Sequence, residues 1–107
     1  MFTRVVEIQT KSGKARDLAA TVNEKVLPIL KRQPGFVDEV TLVSSNNPDR
    51  ILALSFWQSE GDAERYNKEQ YPTVTQIVNP FIDGQPTVET YNVDTSTVHK
   101  IAKGKAA

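Results

Sequence analysis

The chain runs to 107 residues, enough for one domain, with 13 basic and 13 acidic side chains that balance to a formal net charge of zero. Neutralising a phosphate backbone takes a clear basic excess, so this balance argues against a nucleic-acid partner. Cysteine is absent, which removes disulfides, thiolate nucleophiles, zinc fingers and iron–sulfur clusters. His99 is the only histidine and the acidic residues show no clustered ligand spacing, so no metal is expected.

Residues 2–10 alternate, with Phe2, Arg4, Val6 and Ile8 on one side and Thr3, Val5, Glu7 and Gln9 on the other, the pattern of a strand. Ser12-Gly13 breaks it and offers a helix N-cap. From Lys14 the period changes: Ala15, Leu18, Ala19, Val22, Val26, Ile29 and Leu30 form the stripe of an amphipathic helix. Pro28 lies inside that stripe and predicts a kink near residues 24–27. Pro34-Gly35 ends the helix by Gln33. Residues 36–44 read as a second strand, with Phe36, Val40 and Leu42 on one face and Val37, Thr41 and Val43 on the other. After the turn formers Ser45-Asn46-Asn47-Pro48-Asp49, residues 50–57 return as a third strand, apolar on both faces.

Ser59-Glu60-Gly61-Asp62 is a variant capping box opening a second helix, with Asp in place of the usual Glu or Gln. Tyr71-Pro72 interrupts this helix and Pro72 suits the first turn of a continuation. Val74, Ile77, Val78 and Phe81 keep helical spacing, and Asn79-Pro80 closes it. Residues 86–93 alternate weakly as a last strand.

The order strand, helix, strand, strand, helix, strand predicts an α+β, ferredoxin-like βαββαβ fold with one antiparallel sheet and both helices on one face. Residues 1–94 form this domain and carry a net charge of −3, while residues 95–107 form a basic arm of net +3. The first and third strands fall at the sheet centre. Ile51, Ala53, Ser55 and Trp57 are then expected on the face without helices. A symmetric homodimer with sheets face to face would cover them. Met1-Phe2-Thr3-Arg4 has no apolar run of the signal-peptide kind, and the longest apolar stretch, residues 51–54, is four residues. A cytoplasmic protein with no membrane contact is the expectation. The five glycines are too scattered for a phosphate-binding loop.

Phe56-Trp57-Gln58-Ser59-Glu60 followed by Asp62-Ala63-Glu64-Arg65-Tyr66 resembles the strand-to-helix junction of the antibiotic biosynthesis monooxygenase domain. Pro34-Gly35-Phe36 and the helix proline are similar too, and the resemblance covers roughly residues 2–93. It implies a dimeric α/β barrel, in which two such sheets face one another. That fold houses cofactor-free oxygenases, quinol oxidases, haem degraders and proteins of no known activity. The haem-degrading branch carries an Asn on the first strand and a Trp and a His on the second helix. Here Val6, Tyr66 and Gln76 occupy those positions, which disfavours haem degradation.

The cofactor-free branch fits the composition. An anthrone-like or hydroquinone-like anion can itself reduce dioxygen, given a dry pocket, donors for the anion and a base. No cofactor is then needed. The alternative is a non-catalytic small-molecule-binding or structural dimer of the same fold.

The expected catalytic residues are Glu7, a carboxylate midway along a central strand, and Tyr66, a phenol that could face a substrate oxyanion. The bland reading of Glu7 is a cross-strand or intersubunit ion pair. Trp57, Tyr71, Gln76, Ile77 and Phe81 are the expected ligand pocket. Trp57 reads more simply as an aromatic anchor at the dimer interface, Tyr71 as a half-buried tyrosine, and Gln76 as a solvated amide. Ile77 and Phe81 fall on the apolar stripe of the later helical turn, beside the polar Tyr66, Tyr71 and Gln76, a mix that favours a pocket. His99 titrates near neutrality in its unperturbed state but lies in the arm, where a catalytic role is the weaker reading.

Overall fold

The structure, a computed structural model, describes residues 1–99. Strand β1 (Phe2–Gln9) alternates as its sequence does: Phe2, Arg4, Val6 and Ile8 are buried under the helices, while Glu7 and Gln9 are exposed. Helix α1 (Ala15–Thr21) follows, with Lys14 as N-cap and no capping side chain, so Ser12 does not take the expected role. The Gly13 N–H instead donates to Asp49 Oδ1 at 3.1 Å, tying the turn to the loop around Asp49.

The expected kink is a change of helical register. Pro28 has no N–H to give to the carbonyl of Glu24, and its ring crowds that carbonyl. The chain responds with a π-helical turn over Val22–Val26, in which the Leu27 N–H reaches back five residues to the Val22 carbonyl. Helix α2 (Leu27–Lys31) then resumes with Pro28 in its first turn, where a missing donor costs nothing. Val22 and Val26 on the π turn face the interior of the domain.

Gly35 turns the chain into β2 (Phe36–Val43) at φ +77°. A Cβ there would collide with the Asp62 side chain, so the position demands glycine twice over. Strands β2 and β3 (Arg50–Trp57) form an antiparallel hairpin, with an irregularity between Phe36 and Asp38 that shifts the register. Phe36 therefore sits opposite Trp57 on the helix side, whereas Asp38, Val40 and Leu42 turn to the other face. The strict alternation expected for this strand grouped Phe36 with Val40 and Leu42, and the bulge separates them.

Helix α3 (Glu60–Glu69) starts on Ser59, whose Oγ accepts from the Asp62 N–H at 3.2 Å. The same hydroxyl donates to Asp62 Oδ2 at 3.0 Å, so Asp62 closes on the Ser59 side chain and not on its backbone. The helix stops at Gln70, and α4 (Tyr71–Val78) begins with Pro72 in its first turn. A 3-10 turn at Asn79–Phe81 leads to β4 (Thr87–Asn92). The sheet order is β2-β3-β1-β4, all antiparallel, the expected α+β arrangement with β1 and β3 central.

One expectation about the sheet is reversed. Phe2, Arg4, Val6 and Ile8 pair with Trp57, Ser55, Ala53 and Ile51, so that whole set lies under the helices. Ile51 and Trp57 are 1% and 0% exposed within a single chain. Trp57 is a core residue, packed edge-on against Phe36 and stacked at 5.0 Å on Tyr66, not an anchor on the uncovered face. The face without helices carries Leu52, Leu54 and Phe56, with Val40 and Leu42 beside them. The basic arm is described only to His99, and its remainder, residues 100–107 with Lys100, Lys103 and Lys105, lies outside the described residues. His99 Nε2 stands 3.5 Å from Asp38 Oδ2, and the ring lies 5.3 Å from that of Phe56, on the helix-free side.

Candidate functional site

On the helix-covered face, a row of cross-strand neighbours departs from the apolar pattern around it. Glu39 on β2 pairs with Ser55 on β3, Ser55 with Arg4 on β1, and Arg4 with Thr90 on β4. Its neighbours on the two central strands are apolar, Val6 and Ala53 on one side and Phe2 and Trp57 on the other. Glu39 and Arg4 are two strand spacings apart, roughly 10 Å. No carboxylate lies within 4 Å of the Arg4 guanidinium among the described residues.

Above this row the two short helices meet. The break at Gln70 brings Tyr66, at the end of α3, next to Tyr71, at the start of α4, with ring centroids 6.2 Å apart. Arg4 is 4% exposed, and its guanidinium carbon lies 4.4 Å from the Tyr71 ring centroid and 5.2 Å from that of Tyr66. Stacking on two aromatic faces offsets part of the cost of burying that charge. Arg4 Nη2 also donates to Asn67 Oδ1 at 3.0 Å.

Helices and sheet line a partly open cavity of about 70 Å³. Val22, Val26, Leu30, Val74 and Val78 supply its apolar wall, and Arg4, Glu39, Ser55, Tyr66 and Tyr71 bring polar groups to it. The π turn has a direct consequence here, because Val22 and Val26 both sit on it. An engineered cavity of about 150 Å³ takes benzene, so an aromatic guest enters this one only as the lining gives way.

Burial governs the titrating groups. Burial raises the Glu39 carboxyl above its ordinary 4.5; the Thr41 hydroxyl, donating to Oε2 at 2.9 Å, opposes the rise and nearby Asp38 adds to it. Burial likewise pushes the Tyr66 phenol up to about 12, against the opposing charge of Arg4. At neutral pH Tyr66 is therefore a hydrogen-bond donor and not a base. Ser55 Oγ accepts from Trp57 Nε1 at 2.9 Å.

Of the residues expected from the sequence, Tyr66 and Tyr71 line the cavity. Trp57 lies behind it, fixing Tyr66 by stacking and Ser55 by its indole N–H. Gln76 is exposed and borders an outer groove with Tyr71, Thr75 and Asn79. Ile77 and Phe81 pack against the core cluster and do not line the cavity. Glu7 points to the helix-free face, where Arg50 Nη2 meets its Oε2 at 2.8 Å, with both side chains about half exposed. That is the bland reading of Glu7, and it leaves Glu7 and Tyr66 on opposite sides of the sheet. His99, with Ser96 Oγ 3.2 Å from its Nδ1, also lies away from the cavity.

Arg4, Ser55 and Glu39 were not among the expected site residues. Arg4 carried a signal, being a lone charge in the alternating set Phe2, Val6 and Ile8. Glu39 carried none, because only the bulge brings it to the inner face.

The sequence model of the antibiotic biosynthesis monooxygenase family matches residues 1–76, well over half of the chain. The chain belongs to that family. No curated protein matches it. Among solved structures, an antibiotic biosynthesis monooxygenase homologue from Bordetella bronchiseptica superposes with a TM-score of 0.75 at 16% identity, covering 86% of this chain and 95% of that one. SnoaB from Streptomyces nogalater, described as a cofactor-independent oxygenase, gives 0.74 at 12% identity, covering 90% and 95%. A monooxygenase from Streptomyces coelicolor in complex with nanaomycin D gives 0.76 at 15% identity, covering 89% and 88%. At these identities the likeness establishes the ferredoxin-like fold of this family member. No helix among the described residues is long and apolar enough to cross a membrane, and none of their His, Asp and Glu side chains group as a metal site.

Proposed function

We propose that this family member is a cofactor-independent monooxygenase or quinol oxidase acting on a small aromatic, anthrone-like or hydroquinone-like compound. The observation that carries the reading is the apolar cavity whose polar groups come from a single cross-strand row and the tyrosine pair above it. A relative of the same fold described as a cofactor-independent oxygenase, and another holding nanaomycin D, support it.

In this reading Glu39 takes the hydroxyl or ring C–H proton, a role suited to a carboxyl whose proton affinity burial has raised. Tyr66, held protonated, donates to the resulting oxyanion, and the apolar wall keeps water from quenching it. The electron-rich anion then passes electrons to dioxygen. A hydroquinone gives up two electrons and two protons, yielding quinone and hydrogen peroxide. An anthrone methylene gains one oxygen atom as a ketone, and the other leaves with both hydrogens as water. Neither outcome calls for flavin, haem or metal, in keeping with the expectation of no cofactor.

The same reading pairs two copies of the chain through the helix-free face, where Leu52, Leu54, Phe56 and Leu42 would meet their counterparts. Sedimentation at micromolar concentration tests this, and a stable monomer would count against it. The activity is tested by oxygen uptake with a panel of hydroquinones and anthrones. Uptake no faster than the protein-free control leaves a non-catalytic binder of the same compounds as the surviving reading.

A further inference from the structure

We infer that Arg4 makes the cavity selective for an aromatic ligand bound as an anion, its ionised ring oxygen serving as the counter-charge that no acid among the described residues provides. The inference rests on the cavity being the ligand site, and adds the charge state in which the ligand is held.

A guanidinium stays charged in any protein setting, so burying one without an acid is costly. Arg4 is 4% exposed and has no acid within 4 Å among the described residues. Its tyrosine partners contribute ring faces and a phenol that remains neutral. Asn67 takes one donor, and the Tyr66 hydroxyl lies within reach of the same group. Two acceptors do not exhaust the five N–H groups of a guanidinium.

Three acids stand in the neighbourhood, and their placement sharpens the argument. Glu39 borders the same cavity but sits two strands away, with Ser55 between. Glu60 and Glu64 on α3 border a groove on the outer side of Arg4, shared with Asn67 and Thr90. None of them closes an ion pair. Arg4 is thus held by Asn67 and flanked by aromatic rings, at the border of the cavity and with no acid closing on it among the described residues. A planar cation between tyrosine rings is suited to an oxygen in the plane of a third ring.

The test compares two probes of nearly equal shape, 2,4-dinitrophenol, ionised at neutral pH, and its neutral methyl ether, 2,4-dinitroanisole. Their binding to the full chain is measured by calorimetry, with the absorbance of bound dinitrophenolate as a second signal. We expect the phenolate to bind the wild type more tightly than the ether by about tenfold or more, the scale of one charge-assisted hydrogen bond. Arg4→Met should erase that preference while leaving ether binding in place. Asn67→Ala, an exposed change that leaves the charge in place, should weaken the preference and provides a variant that does not disturb the core. Equal binding of the two probes to the wild type, or a preference that survives Arg4→Met in folded protein, overturns the inference and leaves the pocket reading standing. Binding of neither probe overturns both.

Discussion

The two faces of one sheet have divided its work. The covered face holds Trp57, Ile51 and Phe2 at 0%, 1% and 8% exposure, and among them the polar row of Glu39, Ser55 and Arg4. The helix-free face has its own ionic groups, yet these behave conventionally: Glu7 pairs with Arg50, and Asp38 meets His99. On the outer face charges find partners or water. On the inner face Arg4 is buried without an acidic partner, held by Asn67 and two tyrosine rings, and Glu39 is left with a raised proton affinity. Ionisable groups kept in such a state against an apolar cavity make the inner face the candidate site.

The largest effect that would sharpen this contrast is structural. Trp57→Ala empties the core under Tyr66 and should cost about 3–5 kcal/mol in urea unfolding, whereas Leu42→Ala on the open face should cost the monomer under about 0.5 kcal/mol. Similar losses at the two positions would mean that the faces are not so different.

Next comes Tyr66→Phe, which keeps the ring against Trp57 and removes only the donor. Turnover should fall by about a hundredfold with little change in stability, as when one oxyanion donor is lost. Unchanged kcat would move the oxyanion away from Tyr66.

Glu39→Gln should show itself in the pH dependence of stability. Folded Glu39 holds its proton more tightly than the unfolded chain does, so between 4.5 and its raised value the folded state binds more protons. Stability contributed by this group is therefore lost as pH rises through that window. The variant should flatten that decline in urea titrations between pH 4 and about 7. Glu7→Gln is the smallest change, removing an exposed ion pair worth about 0–1 kcal/mol that weakens with added salt.

The elements were legible in the sequence because each had its own chemistry: alternation in β1, a 3.6-residue stripe in the first helix, and proline breaks at Pro28 and Pro72. Their order fixed the layered arrangement. The inner and outer faces were not legible, since β3 is apolar on both sides and its alternation has no sign. Only its register with Phe2, Arg4, Val6 and Ile8 decides that Trp57 points inward. The bulge after Phe36 likewise has no sequence mark, and it alone carries Glu39 inward and Asp38 outward. Half of the site was therefore visible as the tyrosines of a helix break. The other half of the candidate site depended on strand register, and the carboxylate watched from the sequence, Glu7, lies on the helix-free side of the sheet beside Arg50.

The central claim is that the inner row, and not the outer charges, serves the chemistry. Oxygen uptake on a hydroquinone by wild type, Glu39→Gln and Glu7→Gln, side by side, tests it most directly. The account predicts uptake above the protein-free control for wild type, unchanged in Glu7→Gln and lowered by about tenfold or more in Glu39→Gln. Uptake that depends on Glu7 and ignores Glu39 would contradict it.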